Sequence, residues 1–398
     1  MTGPLAGVTV LDFTRVLAGP WCTLALADLG AEVVKIENPK GGDDTRRFDV
    51  REELAGESAY FVFANRNKKS LALNIAVPEG QEIARRIAAR ADILVENFRP
   101  GVMARLGLDF ESLREINSGL IYCSISGYGH DSPLREVAGY DPVAQAEGGM
   151  MAITGEADGG PLRTGISYAD IFSGYNALQG VLAALYHRER TGEGQAIDIA
   201  LLDGAVASLA NQAQVTLITG QDTGRYGNDH PFLEPFGVVE TADGPLYLVI
   251  GNDRQWERFC RDVVERPELL DHPHFRDNAA RLSNREANRA VLADIFATDT
   301  RAGWMAKFRT SGVPAGAVRN ISEALAAPEV RARGMVHEVD HPKAGRFEAV
   351  ASPVRLSATP TAVPVAAPLL GQHTDAVLAA FGYDTEEIAR FRTDGVTA

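Results

Sequence analysis

The 398-residue chain, 45% hydrophobic and 23% charged, is longer than a single core usually supports and predicts two lobes. Cys22, Cys123 and Cys260 stand far apart without ligand spacing, which excludes a disulfide framework and a zinc site. The net charge of −14 is spread along the chain and argues against nucleic acid; with no basic leader and no run of about 18 apolar residues, the chain reads as cytoplasmic, without a membrane contact.

Residues 8–13 (VTVLDF) form a β-branched apolar run, followed by Gly19-Pro20, a helical stretch to Leu29 and a second run at 33–37. This is one βαβ unit. Residues 79–90 carry apolar positions at helical spacing and run into a strand at 93–96; a second pair follows, helix 110–116 and strand 120–126. Such alternation predicts a parallel sheet covered by helices. The best helix spans 168–190, with a basic last turn and Gly192 beyond it, and a strand at 196–199 follows. A polar stretch near 220–234 marks a boundary, after which 236–250 (FGVVETADGPLYLVI) reads as a hairpin about Asp243-Gly244, with helices from 254 to about 309. Residues 358–369 form a Pro- and Ala-rich connector, and helix 374–381 is expected to close the chain. The expected division is 1–223 and 331–398 for a large domain and 224–330 for a small one.

The first βα turn, 14–21 (TRVLAGPW), lacks G-x-G-x-x-G, and no Walker motif occurs, so a dehydrogenase is not supported, while a phosphate site at this helix N-terminus stays open. Asp170 falls in the first turn of the long helix, where the helix dipole is expected to stabilise a carboxylate. Acidic residues are common there for structural reasons alone. Gly165, Ser167 and Gly174 are small enough to admit a bulky substrate, and a carboxylate can act as an acyl-accepting nucleophile. Residues 65–73 (NRNKKSLAL) read as a solvated turn leading into a strand, whereas 97–101 (NFRPG) follows a parallel strand at its ligand-bearing end. The eight histidines show no metal spacing, and no G-x-S-x-G elbow is present.

Taken in order, several segments resemble the class III CoA-transferase (CaiB/BaiF) family, formyl-CoA transferases included. They are LDFTRVLAGPWCTLALADLGAEVVKIENPKGGDDTR (11–46), NRNKKSLALN (65–74), ADILVENFRPGVMARLGL (91–108), YCSISGYGHDSPL (122–134) and AGYDPVAQAEGGMMAITG (138–155). The Asp170 segment through RTGEGQAIDIALLDGA (190–205), YGNDHP (226–231), VIGND (249–253), SGVPAG (311–316) and LLGQHTDAVL (369–378) complete the series. The resemblance implies a Rossmann-like α/β large domain with a parallel sheet, a smaller α+β domain, and a homodimer of interlinked chains. It implies Asp170 as nucleophile and CoA or acyl-CoA as substrate, with no tightly bound cofactor and no metal. Asn97, Phe98 and Arg105 match CoA-holding positions, Val16, Leu73 and Tyr140 line the same ligand, and Lys35 or Lys40 meets its phosphates. Gly251 opens the loop that closes over the acyl group.

Two positions depart from this pattern. Leu17 stands where formyl-CoA transferases carry Gln, and Asn38 where some members have a basic residue. The family's α-methylacyl-CoA racemases read Gly-His-Asp where this chain has Gly139-Tyr140-Asp141. A phenol of ordinary pKa near 10 is a poor general base at neutrality. A CoA-transferase is therefore expected, with a racemase and a non-catalytic CoA-binding protein as alternatives. The stretch 41–47 (GGDDTRR) suggests Arg46 or Arg47 as the fork for the distal carboxylate of a short diacid, succinyl-CoA being the leading donor. The competing reading pairs both arginines with Asp43, Asp44 or Asp49, or leaves them solvated.

Overall fold

The computed structural model describes residues 3–398. The central sheet is built from β1 (Thr9–Asp12), β2 (Glu32–Glu37), β3 (Lys68–Ala72), β4 (Ile93–Glu96), β5 (Ile121–Ser126) and β6 (Ala196–Ala200). All five pairings are parallel and the order across the sheet is β3-β2-β1-β4-β5-β6. This is the Rossmann order, with its reversal of direction between β1 and β4.

Neighbouring residues along each strand feed opposite cores, as the two-residue period of a strand requires. Val10, Val33, Ile93 and Ile121 face one side, where α1 (Ala18–Asp28) and the later helix over Tyr168–Thr191 contribute Leu26, Val181 and Leu185. Leu11, Val34, Leu94 and Tyr122 face the other, against Ile83 and Ile87 of α2 (Pro78–Ala88). Two shorter-range elements matter for the site: α3 (Asp141–Glu147) and α4 (Tyr168–Thr191), the latter ended by Gly192 at φ 79°. Gly174 is required where α4 meets α1, because a Cβ there would lie 2.7 Å from the Ala18 carbonyl oxygen and 2.9 Å from Trp21 Cβ. Its small size serves helix packing and not substrate access, contrary to the sequence expectation.

The chain divides into two compact units. One comprises the chain up to Met151, Arg163–Gln221 and Pro328–Ala398; the other comprises Ala152–Leu162 and Asp222–Ala327. In the second unit, the hairpin Phe236–Glu240 with Pro245–Val249 is joined by Ala315–Ala317 in an antiparallel sheet over Trp256, Phe259, Phe296, Trp304 and Phe308. In the first unit, α5 (Thr374–Ala380) does not close the chain. A further helix, α6 (Thr385–Thr393), starts with a capping box between Asp384 and Glu387 and buries Ile388 and Phe391 in the core beside α2. Among the described residues no helix is long and apolar enough to cross a membrane.

Candidate active site

The turn after β1 and the turn after β4 meet where the strand order reverses, the place at which open α/β sheets bind ligands. Asn97 ties the two together. Its Oδ1 accepts the Arg15 N–H at 2.8 Å and its Nδ2 donates to the Arg15 carbonyl at 2.8 Å. The next residue, Val16, has φ 65°, a conformation costing a β-branched residue about 1–3 kcal/mol that the surroundings must supply. Part of that support is Asp43, which accepts the Val16 N–H at 3.4 Å and is paired with Lys35 at 3.0 Å.

On the β4 side, Phe98 donates its N–H to Glu96 Oε2 at 2.8 Å, while Glu96 Oε1 accepts the Ser124 hydroxyl. Burial without a cation pushes the Glu96 carboxyl up to about 7. The Arg15 guanidinium lies over the Phe98 ring, 5.0 Å from its centroid.

Asp170 opens onto the same place from the first turn of α4. A cavity of ≈ 310 Å³ is lined by Asp170, Arg15, Val16, Leu17, Asn97, Phe98 and Tyr140, among others. The helix start is capped by Asp141 of α3 and not by a residue of its own turn. Asp141 Oδ1 accepts the N–H groups of Ala169 at 2.8 Å and Asp170 at 3.3 Å, and its Oδ2 accepts Gln145 Nε2 at 2.8 Å. Gln145 in turn accepts the Thr164 N–H at 3.0 Å. Asp141 thus takes up the dipole interaction expected for Asp170. Burial first, and the Asp141 charge second, push the Asp170 carboxyl up to about 7. A carboxylate poised near neutrality, poorly solvated and without a cationic partner, is suited to attack a carbonyl carbon.

Other sequence candidates distribute unevenly. Asn97, Phe98, Val16 and Tyr140 converge on the Asp170 cavity, and Leu73 lines an adjacent cavity of ≈ 200 Å³ that Phe98, Arg15 and Asn38 also border. Arg105 and Lys40 are exposed. Lys35 cannot meet a phosphate: its side chain is 0% exposed, donates to the Thr14 carbonyl at 2.7 Å and pairs with Asp43. Arg46 is likewise committed, in a fork to Glu37 at 2.8 and 2.7 Å with its guanidinium 3.6 Å above the Phe61 ring. Arg47 is exposed and pairs with Asp44 at 2.8 Å. Gly251 lies in the second unit, exposed, with its N–H donated to Gln255 Oε1 at 2.7 Å.

The tract 65–73 is not a solvated turn, because Asn65, Arg66 and Lys68 are buried. Lys68 donates to Asp12 at 3.1 Å, Thr23 at 2.8 Å and Asn65 at 3.0 Å. Sequence reasoning passed over Arg15, Asp141 and Tyr60. The Tyr60 phenol is pushed up to about 12 by burial and then by the charges of Asp170, Asp141 and Asp43, which keeps it protonated. Among the described residues no cluster of His, Cys, Asp and Glu is placed to hold a metal ion.

The family model for CoA-transferase family III matches residues 5–374. The chain belongs to that family. It is 41% identical over 381 residues to succinate–glutarate CoA-transferase of Agrobacterium fabrum, covering 94% of this chain and 95% of the relative. It is 39% identical to human succinyl-CoA:glutarate CoA-transferase (99% and 90%) and 38% identical to succinyl-CoA:mesaconate CoA-transferase of Haloarcula marismortui (96% and 98%). A crystal structure of a CaiB/BaiF family protein from Brucella suis superposes with a TM-score of 0.87 at 38% identity, covering 96% of this chain and 100% of that one. The family III assignment makes the chain a CoA-transferase.

Proposed function

We propose that this enzyme moves CoA from the acyl-CoA of a short dicarboxylic acid, succinyl-CoA foremost, to a second carboxylic acid through covalent intermediates on Asp170. The observation that carries the reading is the uncompensated, partly buried Asp170 carboxylate in the cavity beside the Arg15–Asn97 turn. An Asp170 oxygen attacks the thioester carbonyl carbon, the C–S bond breaks, and a mixed anhydride and CoA thiolate result. The thiolate attacks the Asp170 carbonyl carbon, releasing the donor acid and leaving an aspartyl-CoA thioester. The acceptor carboxylate attacks that thioester and expels the thiolate. The thiolate then attacks the acceptor's acyl carbon, giving the new acyl-CoA and restoring the Asp170 carboxylate. No net proton is consumed, so the site needs a poised carboxylate and no general base. Tyr140 at the racemase position is exposed, consistent with the absence of that enzyme's base.

The dicarboxylate preference is supported by the related enzymes, whose names pair succinyl-CoA or succinate with glutarate or mesaconate. Asn97, Phe98, Val16 and Leu73 are proposed to hold CoA along the two adjoining cavities. A homodimer of interlinked chains is proposed as well. Apolar residues left open along α4 and beyond it, Tyr186 at 67% and Leu217 at 80% exposure, support a further copy covering them. The test of function is a matrix of acyl-CoA donors against carboxylic acids, read by mass spectrometry of the CoA products. Succinyl-CoA with glutarate should head the matrix, and turnover confined to monocarboxylic acids would overturn the substrate class.

A further inference from the structure

The dicarboxylate reading requires a cation near Asp170, and the structure removes the one that sequence favoured. Arg46 is engaged with Glu37 and Phe61, and Arg47 with Asp44. Of the two arginines that line the Asp170 cavity, Arg99 is exposed and Arg15 is partly buried.

Arg15 differs from every other arginine around the site in how it is held. Both sides of its backbone are clamped by Asn97 at 2.8 Å. Its guanidinium rests on the Phe98 ring, whose N–H is in turn fixed by the buried Glu96. No carboxylate among the described residues pairs with it. A guanidinium fixed in place but left without an anion retains its planar fork for a ligand, and a carboxylate fits that fork with two parallel hydrogen bonds. Arg15 stands where the two cavities adjoin, and the pantetheine arm of CoA keeps the diphosphate a full arm's length from the thioester, so a guanidinium that also lines the Asp170 cavity is on the acyl side of that arm.

We infer that Arg15 binds the distal carboxylate of the acyl group and so sets the enzyme's preference for short dicarboxylic acids, an inference that rests on the transferase reading above. The acyl group would be held at its far end by Arg15 while its thioester carbon meets Asp170. Arg15 is then a specificity residue, and it acts on donor and acceptor alike because both occupy the same place in turn.

The test compares succinyl-CoA with butyryl-CoA, which has the same chain length but lacks the distal carboxylate. With the wild-type enzyme, kcat/KM should favour succinyl-CoA, and Arg15→Gln should reduce the succinyl-to-butyryl ratio about 100-fold. Calorimetric binding of the two donors in an Asp170→Asn background, with and without Arg15→Gln, reads the same ratio without turnover. An equal loss for both donors would show that Arg15 grips CoA itself, and an unchanged ratio would place the selectivity elsewhere; either result overturns the inference. Loss of transfer with every donor in the wild-type enzyme would instead sink the transferase reading.

Discussion

Two groups of charged residues flank the same sheet edge and behave in opposite ways. Around β1, β2 and β3, Asp12, Lys35, Asp43, Glu37, Arg46 and Lys68 are buried or nearly so, and every charge faces an opposite one. Burial pushes the Asp12 carboxyl up, but Lys68, Lys35 and the Thr14 and Thr23 hydroxyls outweigh it and hold it at about 2. At the start of α4, Asp170 has no cation, faces a second carboxylate and is pushed to about 7. Compensated charge supports the turn that carries Val16; the charge at Asp170 is left uncompensated. The difference shows why basic residues in a family motif are not by themselves evidence of a phosphate site.

Substitutions can separate the two groups. The largest effect is expected from Asp170→Asn, which should reduce transfer by about 10⁴-fold or more, as loss of a covalent nucleophile does. It should not destabilise the fold. Because the Asp170 pKa is raised in the folded state, its contribution to stability is complete below its ordinary 3.8 and is lost as the pH rises through about 7. At pH 8 the Asn variant should therefore unfold at the same or higher denaturant concentration, with a gain of up to about 2 kcal/mol.

Asp12→Ala should do the reverse of this on stability. It leaves Lys68 and Lys35 without their shared anion and should cost about 3–5 kcal/mol in chemical denaturation. The Asp12 contribution is present above its ordinary 3.8 and is lost as the pH falls through about 2, so wild type and variant should converge in strong acid.

A smaller effect concerns pH and rate. The first half-reaction should accelerate as the pH rises through about 7, where Asp170 ionises, and Asp141→Asn should move that inflection to lower pH by removing a like charge. An unmoved inflection would mean that burial alone sets the Asp170 pKa. Smallest of all, Arg47→Ala breaks an exposed pair with Asp44 and should change stability by less than about 0.5 kcal/mol and the donor ratio by less than about threefold.

Most of the sheet was legible because its strands are apolar runs separated by helices of clear period, and the strand 93–96 was placed to the residue. Helix α6 was not, since its segment TEEIARFRT is mostly polar and charged and commits only Ile388 and Phe391 to the core. Asp170 was singled out from helix position and family resemblance together, and the structure places it in the cavity beside Asn97 and Phe98. Lys35 and Arg46 were misassigned because their partners, Asp43 and Glu37, become neighbours only through the path of the chain after β2. Arg15 gave no sequence signal, as its meaning depends on Asn97, which lies 82 residues away. The left-handed Val16 was equally hidden, since a β-branched residue is the last expected there.

In the proposed mechanism Asp170 carries the acyl group and then CoA. Mixing the enzyme with donor acyl-CoA and no acceptor, followed by peptide mass spectrometry with and without hydroxylamine, tests it directly. An adduct is expected on the peptide containing Asp170 that hydroxylamine converts to the hydroxamate, and none in Asp170→Asn. An unmodified Asp170 peptide under conditions of full turnover, or an adduct that persists in the variant, would contradict it.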